Sequence, residues 1–137
     1  MRIASTVLAL ALTLAACGGP LKLALRGSEL SPGSDAQVVA AIDDGRHVTD
    51  LEITATNLTP ADRLLPSGKA YVVWQRKDDK TAWARAGALE LENEGRNGKA
   101  KLTVPETAFD MLVSVEADAS VASPSGKTVF SQRVEKK

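Results

Sequence analysis

The residues of this 137-residue chain that could carry out chemistry are few and stand apart. The only histidine, His47, has no second histidine or cysteine at the spacing of a metal site, and a lone histidine beside Gly45 is typical of a solvated turn. Two pairs of aspartates are adjacent in the sequence, Asp43-Asp44 and Asp78-Asp79. Because adjacent side chains on a strand point to opposite sides, neither pair predicts an acid–base dyad. Two such turns could together bind calcium, but aspartate is also an ordinary turn residue. We therefore expect no enzyme, no cofactor and no metal site.

Phosphate and nucleic acid are not predicted ligands either. Gly126-Lys127-Thr128 matches the end of a phosphate-binding loop, but the position that requires the first glycine of that motif is Val121. The chain carries 17 basic and 17 acidic residues, whereas proteins that bind nucleic acid use a basic excess to neutralise phosphates. The charge balance argues against a nucleic-acid partner, and no motif identifies a small-molecule substrate.

The single cysteine closes an apolar run that follows Arg2, and the residues before it are Leu14, Ala15 and Ala16. The run is shorter than the ~20 apolar residues that cross a bilayer, but it suits the apolar region of a secretion signal. A buried N-terminal helix is the alternative. The pattern resembles the lipobox of a bacterial lipoprotein. The resemblance implies that signal peptidase recognises Leu14, Ala15 and Ala16, and that Cys17 becomes the lipidated first residue.

The lipobox resemblance also implies the organisation of the chain. It divides the chain into a signal peptide at 1–16, the lipidated cysteine and a short tether at 17–20, a domain at 21–134 and a charged tail at 135–137. Removal of the first 16 residues from the 137 leaves 121, the size of one domain, and a single cysteine permits no intramolecular disulfide. Gly18 follows the cysteine, which by resemblance to sorted lipoproteins favours the outer membrane of a two-membrane bacterium.

The apolar residues after the tether recur with a period of two, which is typical of strands with one wet face. In the segment around Ile53, threonine and isoleucine favour a strand over the amphipathic helix that could also be drawn there. In the segment that begins at Phe109, the apolar residues face one way, and Asp110, Ser114 and Glu116 face the other. Turn residues separate eight predicted strands, at 21–26, 37–42, 48–58, 70–76, 83–92, 99–104, 109–116 and 127–134. The pattern predicts an all-β fold, an immunoglobulin-like antiparallel sandwich of about seven to eight strands.

The few large aromatic residues have predicted places in this sandwich. We expect Trp74 to lie between the sheets, against Phe109 or Val113, with Tyr71 on the opposite, less buried face. Trp83 has polar neighbours and is the candidate exposed binding anchor, because exposed tryptophan is a common anchor of interfaces. Packing of Trp83 over an edge strand is the alternative.

Four segments of the chain carry a resemblance to a known family. They are Tyr71-Val72-Val73-Trp74, Gly87-Ala88-Leu89, Phe109 to Glu116, and Ser123-Pro124-Ser125-Gly126. Together they resemble the extracytoplasmic C-terminal β-sandwich domain of anti-sigma-K-type factors. In that family the sandwich follows a transmembrane helix and a cytoplasmic domain that holds a sigma factor, parts that have no counterpart in this sequence. The resemblance implies the sandwich fold and a relation to a sensor domain.

The function expected from these patterns is that of a membrane-anchored envelope lipoprotein, a non-enzymatic binding or structural domain of unknown ligand. An orphan sensor or regulatory domain is the alternative, and an enzyme with an unrecognised site is the third. The three residues between Cys17 and Leu21 span only ~10 Å when extended. We therefore expect the domain to rest on the membrane with Lys22 and Arg26 near the headgroups, and its partner to be a membrane-proximal envelope component.

Overall fold

The computed structural model describes residues 19–137, so the predicted signal peptide, the lipobox and Cys17 lie outside the described residues. Strands dominate this part of the chain. The elements are β1 Leu21–Arg26, β2 Asp35–Asp43, β3 Val48–Thr56, α1 Ala61–Leu64, β4 Ala70–Arg76, β5 Ala84–Ala88, β6 Glu90–Glu92, β7 Asn97–Val104, β8 Phe109–Glu116 and β9 Thr128–Val134. The strands form two antiparallel sheets, ordered β1-β2-β3-β7-β6 and β5-β4-β8-β9.

The two sheets confirm the predicted antiparallel β-sandwich. In the immunoglobulin convention, β2-β3-β7-β6 correspond to strands A, B, E and D, and β5-β4-β8-β9 correspond to C′, C, F and G. β1 is an additional strand that pairs with β2 at the outer edge of the five-stranded sheet. The predicted strands at 21–26, 70–76 and 109–116 agree with the structure at both ends.

The predicted strand at 83–92 is in fact two strands that belong to different sheets. β5 pairs with β4, and beyond Leu89 the chain joins the five-stranded sheet, where β6 pairs with β7. The Leu89 N–H donates to the Tyr71 carbonyl at 2.9 Å, and a β-carbon at Gly87 would overlap with the side chain of Leu102. Close approach at this glycine lets the chain change sheets, which gives nine strands. Period-two alternation continues through the crossing because both sheets take apolar residues on their inner faces.

The core lies between the two sheets and is filled by their inward-facing residues. The helix α1 and the residues around it cover one end of this core, where Leu58 and Ala61 are buried. The largest core side chains are Tyr71, Phe109, Phe130, Ile53, Leu58 and Met111. Within residues 19–137, the structure contains no helix with the length and apolar character needed to cross a membrane.

The face of β4 that points into this core is the opposite of the predicted one. Tyr71 and Val73 belong to the core, together with Phe109 and Val113 of β8. Trp74 projects from the other face of the sheet, yet its exposed fraction is 0%. The predictions that Trp74 lies between the sheets and that Tyr71 is less buried are therefore wrong, although the burial of Trp74 is correct. Both faces of β4 are covered, so alternation along this strand cannot assign its inner face.

The N-terminal end of the sandwich, where β1 begins, also carries the end of β9. Lys136 forms an ion pair with Asp44 in the turn between β2 and β3. The hydroxyl of Thr49 donates to the carbonyl of Glu106 in the β7–β8 connection at 2.7 Å. The β4–β5 turn lies at this end as well, because Arg133 of β9 donates to its Lys77 carbonyl. The opposite end holds four further connections, at 27–34, 57–69, 93–96 and 117–127.

We expect Tyr71 to titrate far above an ordinary tyrosine. Burial raises the pKa of Tyr71 to about 12, because the phenolate would lose its hydration, and the neutral hydroxyl donates to the Thr59 carbonyl. The unfolded chain ionises near 10.0. The stability that neutral Tyr71 contributes is therefore complete below pH 10 and is lost as the pH rises towards 12.

Tyrosinate absorbance measures this titration directly, because Tyr71 is the only tyrosine of the chain. The Tyr71→Phe variant is the control and should retain its stability over the alkaline range in which the wild type loses it. An ordinary tyrosine titration in the folded wild-type protein would contradict the burial.

Candidate binding surface at Trp83

Neighbouring strands bring one aromatic and three charged side chains together on the outer face of the four-stranded sheet. Cross-strand pairing places Arg76 of β4 opposite Asp110 of β8, and Asp110 opposite Arg133 of β9. Trp83 directly precedes β5 and lies beside Arg76. We call these four residues the Trp83 surface. It lies at the N-terminal end of the sandwich, where β4 and β9 end and β8 begins.

Asp110 holds the two arginines of the Trp83 surface in place. Its Oδ2 accepts a hydrogen bond from Nε of Arg76 at 3.0 Å, and its Oδ1 accepts one from Nη1 of Arg133 at 3.2 Å. Arg133 also donates to the Lys77 carbonyl at 2.8 Å and to Glu135 at 3.4 Å. Partial desolvation lowers the pKa of Arg133, but the bonds to Asp110 and Glu135 outweigh this effect and raise the pKa above its ordinary value. The guanidinium therefore remains charged.

Trp83 is half-buried. The guanidinium carbon of Arg76 lies 4.2 Å from the centre of the indole ring, a cation–π contact that is worth ~0.5–1 kcal/mol at exposed sites. The sequence left open whether Trp83 is exposed or packs over an edge strand. The structure places it at the start of the edge strand β5, with one face against Arg76 and part of the ring in solvent.

The β4–β5 turn next to this tryptophan is held by Asp78. Its Oδ1 accepts hydrogen bonds from the hydroxyl of Thr81 and from the N–H of Lys80, both at 2.9 Å. These bonds hold the pKa of Asp78 below its ordinary value, and the bond from Thr81 has the largest effect. Asp78 therefore serves the turn, as expected for an aspartate in this position.

An open depression of about 570 Å³ lies along the Trp83 surface. Its other lining residues are Met111, Leu112, Ser131 and Gln132. Both carboxylate oxygens of Asp110 are engaged, whereas the Nη atoms of Arg76 and Nη2 of Arg133 donate to no group within residues 19–137. The surface therefore offers guanidinium donors to an acidic group and a partly exposed indole to an apolar one.

A buried polar network lies on the same outer face and was not predicted. Trp74 Nε1 donates to Ser114 Oγ at 2.8 Å, and Ser114 Oγ donates to Glu116 Oε2 at 2.6 Å. The N–H of Ser125 donates to that same oxygen at 2.8 Å, and Glu116 is only 3% exposed. The network fastens the 117–127 connection to the sheet. Ser114 and Glu116 face away from the core between the sheets, as the alternation predicted, but they are buried beneath this connection.

The remaining candidates from the sequence do not form a site. His47 is exposed in the β2–β3 turn, where its φ is 58°, and Asp43 accepts the Arg46 N–H of that turn at 3.0 Å. Within residues 19–137, no group of three or more histidine, cysteine, aspartate or glutamate side chains is arranged to hold a metal ion. The predicted lipid attachment at Cys17 lies outside the described residues.

Comparison with known proteins identifies no relative. No protein family, no curated protein and no solved structure matches the chain. The resemblance to the extracytoplasmic domain of anti-sigma-K-type factors therefore stays a prediction from the segments that carry it, and the proposals below rest on this chain's own residues.

Proposed function

We propose that this protein is a membrane-anchored lipoprotein of a bacterial envelope, whose β-sandwich binds or braces a membrane-proximal component without catalysis. The observation that carries the proposal is the lipobox-like Leu14-Ala15-Ala16-Cys17, followed after three residues by the first strand at Leu21. A secretion signal of this type delivers the chain outside the cytoplasm, and two acyl chains on Cys17 anchor it stably.

The short tether supports the membrane-proximal part of the proposal. Leu21 is four residues beyond Cys17, so the start of β1 stays within ~14 Å of the lipidated residue. Gly19 and Pro20 are exposed beside the end of the chain at Lys136 and Lys137. The N-terminal end of the sandwich is therefore the end held towards the membrane.

The Trp83 surface supports binding over catalysis. Both oxygens of the Asp110 carboxylate accept hydrogen bonds from arginine, so this carboxylate positions cations. Arg133 keeps its charge and has N–H groups that point to no described acceptor. A charged and aromatic surface of this composition suits recognition by contact.

Replacing Cys17 by serine should abolish membrane attachment. Serine cannot form the thioether to diacylglycerol, so the Cys17→Ser protein should appear in the soluble fraction or remain unprocessed, whereas Gly18→Ser keeps the cysteine and should stay in the membrane. Fractionation of the producing bacterium and the mass of the N-terminal peptide measure both outcomes. If the Cys17→Ser protein were processed normally and stayed in the membrane, the proposal would be contradicted.

The alternative is an orphan sensor or regulatory domain related to the extracytoplasmic domains of anti-sigma factors. The similarity of segments 71–74 and 109–116 to that family favours it. Crosslinking in the intact envelope separates the two: a partner with a cytoplasmic signalling part would support the alternative, and a structural envelope component would support the leading proposal.

A further inference from the structure

We infer that the Trp83 surface and the adjoining 77–82 turn bind the lipid headgroup layer of the same membrane that holds Cys17. This inference rests on the proposed lipid anchor and goes beyond it, because it names the partner, the contacting residues and the orientation of the domain. The occupant is a lipid surface, recognised by an interfacial tryptophan and by guanidinium and ammonium groups.

The tether and the 77–82 turn lie at the same end of the sandwich. The chain enters the sandwich at Leu21, and the exposed residues Gly19 and Pro20 lie next to Lys136 and Lys137. The same end carries the 77–82 turn, since Arg133, near the end of β9, donates to the Lys77 carbonyl. A lipid on Cys17 therefore turns the end that carries Trp83 towards the bilayer.

Trp83 lies across the N-terminal end of the sandwich from the edge that carries the tether. β9 lies three strand positions from β5 in the four-stranded sheet, so Trp83 is ~14 Å from the β9 edge at ~4.8 Å per strand. A three-residue tether of ~10 Å keeps the first strand close to the headgroups. A domain of this width can then bring its whole end, Trp83 included, to the interface while Cys17 remains inserted.

The side chain of Trp83 has the chemistry of a residue at a membrane interface. Tryptophan is enriched at membrane interfaces because its ring is apolar and its N–H is polar. Trp83 is half-buried against Arg76 and keeps part of its ring in solvent. The bonds from Arg133 to Asp110 and to the Lys77 carbonyl hold the turn in place, so little side-chain freedom remains to be lost on contact.

The charged residues at the N-terminal end are compatible with contact to lipid headgroups but do not determine it. Lys77, Lys80 and Lys137 are exposed and form no ion pair within residues 19–137, so they are available to lipid phosphates. Asp79 and Glu106 at the same end are also unpaired in the described chain and offset part of that attraction. The tether, which makes the encounter intramolecular, and Trp83 are therefore the main determinants.

The chain carries its own spectroscopic probe for a test. It has two tryptophans: Trp83 is the reporter, and Trp74, with an exposed fraction of 0%, is the buried reference that remains in the Trp83→Phe variant. The lipidated protein is reconstituted into phosphatidylethanolamine–phosphatidylglycerol vesicles whose acyl chains carry bromine, a contact quencher, near the headgroups. In a Trp74→Phe background, Trp83 emission should fall about twofold relative to unbrominated vesicles if the ring lies at interfacial depth. The Trp83→Phe variant, which retains Trp74, should show no such fall.

Two matched variants complete the experiment. A flexible linker of ~20 residues inserted after Pro20 should reduce the quenching, because the effective concentration of the surface falls. Arg26, expected near the headgroups from the sequence, lies at the opposite end of β1 from Leu21 and so away from the membrane in this orientation; Arg26→Gln should therefore leave the quenching unchanged. A loss of quenching in Arg26→Gln would favour a domain lying flat on β1 and would overturn the orientation inferred here.

The possible failures are distinguishable. A protein that does not float with the vesicles contradicts the lipid anchor and so the proposed function. A protein that floats but shows no quenching of Trp83 leaves the anchor intact and overturns this inference alone. Crosslinking of position 83 to an envelope protein in intact membranes, with Trp83 unquenched in the brominated vesicles, would overturn it in favour of a protein partner.

Discussion

Replacing Trp74 by alanine should lower the free energy of unfolding by about 3–5 kcal/mol, the usual cost of deleting a buried large aromatic side chain. The indole has an exposed fraction of 0% and donates to Ser114, so the variant loses packing and leaves a buried hydroxyl short of a donor. The expected cost is that of a core residue although Trp74 faces away from the core between the sheets. Denaturation by urea, followed by circular dichroism, measures it.

Trp83→Phe is the matched control for this prediction. Trp83 is half-buried, so its substitution should cost about 1 kcal/mol or less, mostly through a weaker cation–π contact with Arg76. Equal costs for Trp74→Ala and Trp83→Phe would mean that the 117–127 connection does not cover the outer face in solution.

The substitution Gly27→Ala should destabilise the domain by about 3 kcal/mol. Gly27 follows β1, and a β-carbon there would overlap with the carbonyl oxygen of Ser31, a backbone atom that cannot rotate away. Its N–H also donates to the Ser34 carbonyl at 2.8 Å, so the loop cannot shift without loss of this bond. Overpacking usually costs ~1–3 kcal/mol, and overlap with backbone belongs at the upper end of that range.

Gly33→Ala provides the comparison within the same loop. Gly33 is exposed, and no atom lies within 4 Å of the position that its β-carbon would occupy. Its substitution should change stability by about 0.5 kcal/mol or less. Thermal unfolding of both variants tests the pair, and a Gly27→Ala protein as stable as Gly33→Ala would show that the loop has another conformation in solution.

The period-two pattern was sufficient to predict the sandwich, and its failures have physical causes. Where one face of a strand is wet, as in β1 and β3, alternation identifies the inner face correctly. In β4 the residues from Tyr71 to Trp74 are all buried, so the pattern cannot tell the core from the outer cover. Between β5 and β6 the alternation continues although the strand changes sheets at Leu89. Local patterns therefore predict strands better than they predict partners.

The Trp83 surface was only partly predictable. The polar neighbours of Trp83 indicated an unusual tryptophan, but its contact with Arg76 depends on the pairing of β4 with β5. The convergence of Arg76 and Arg133 on Asp110 depends on the register of β4, β8 and β9, in which Asp110 is 34 residues from Arg76 and 23 from Arg133. Sequence spacing gives no measure of such registers, so the surface emerges only with the fold.

The additional strand β1 determines which end of an anchored domain faces the membrane. β2 begins at Asp35, opposite Arg26 and at the opposite end from Leu21. Without β1 the chain would enter the sandwich at Asp35, and a lipid-anchored domain would stand inverted. Because antiparallel strands reverse direction, the parity of the strands ahead of β2 determines which loops meet the bilayer. With one such strand and the anchor proposed here, the connections at 57–69 and 117–127 are presented to the rest of the envelope.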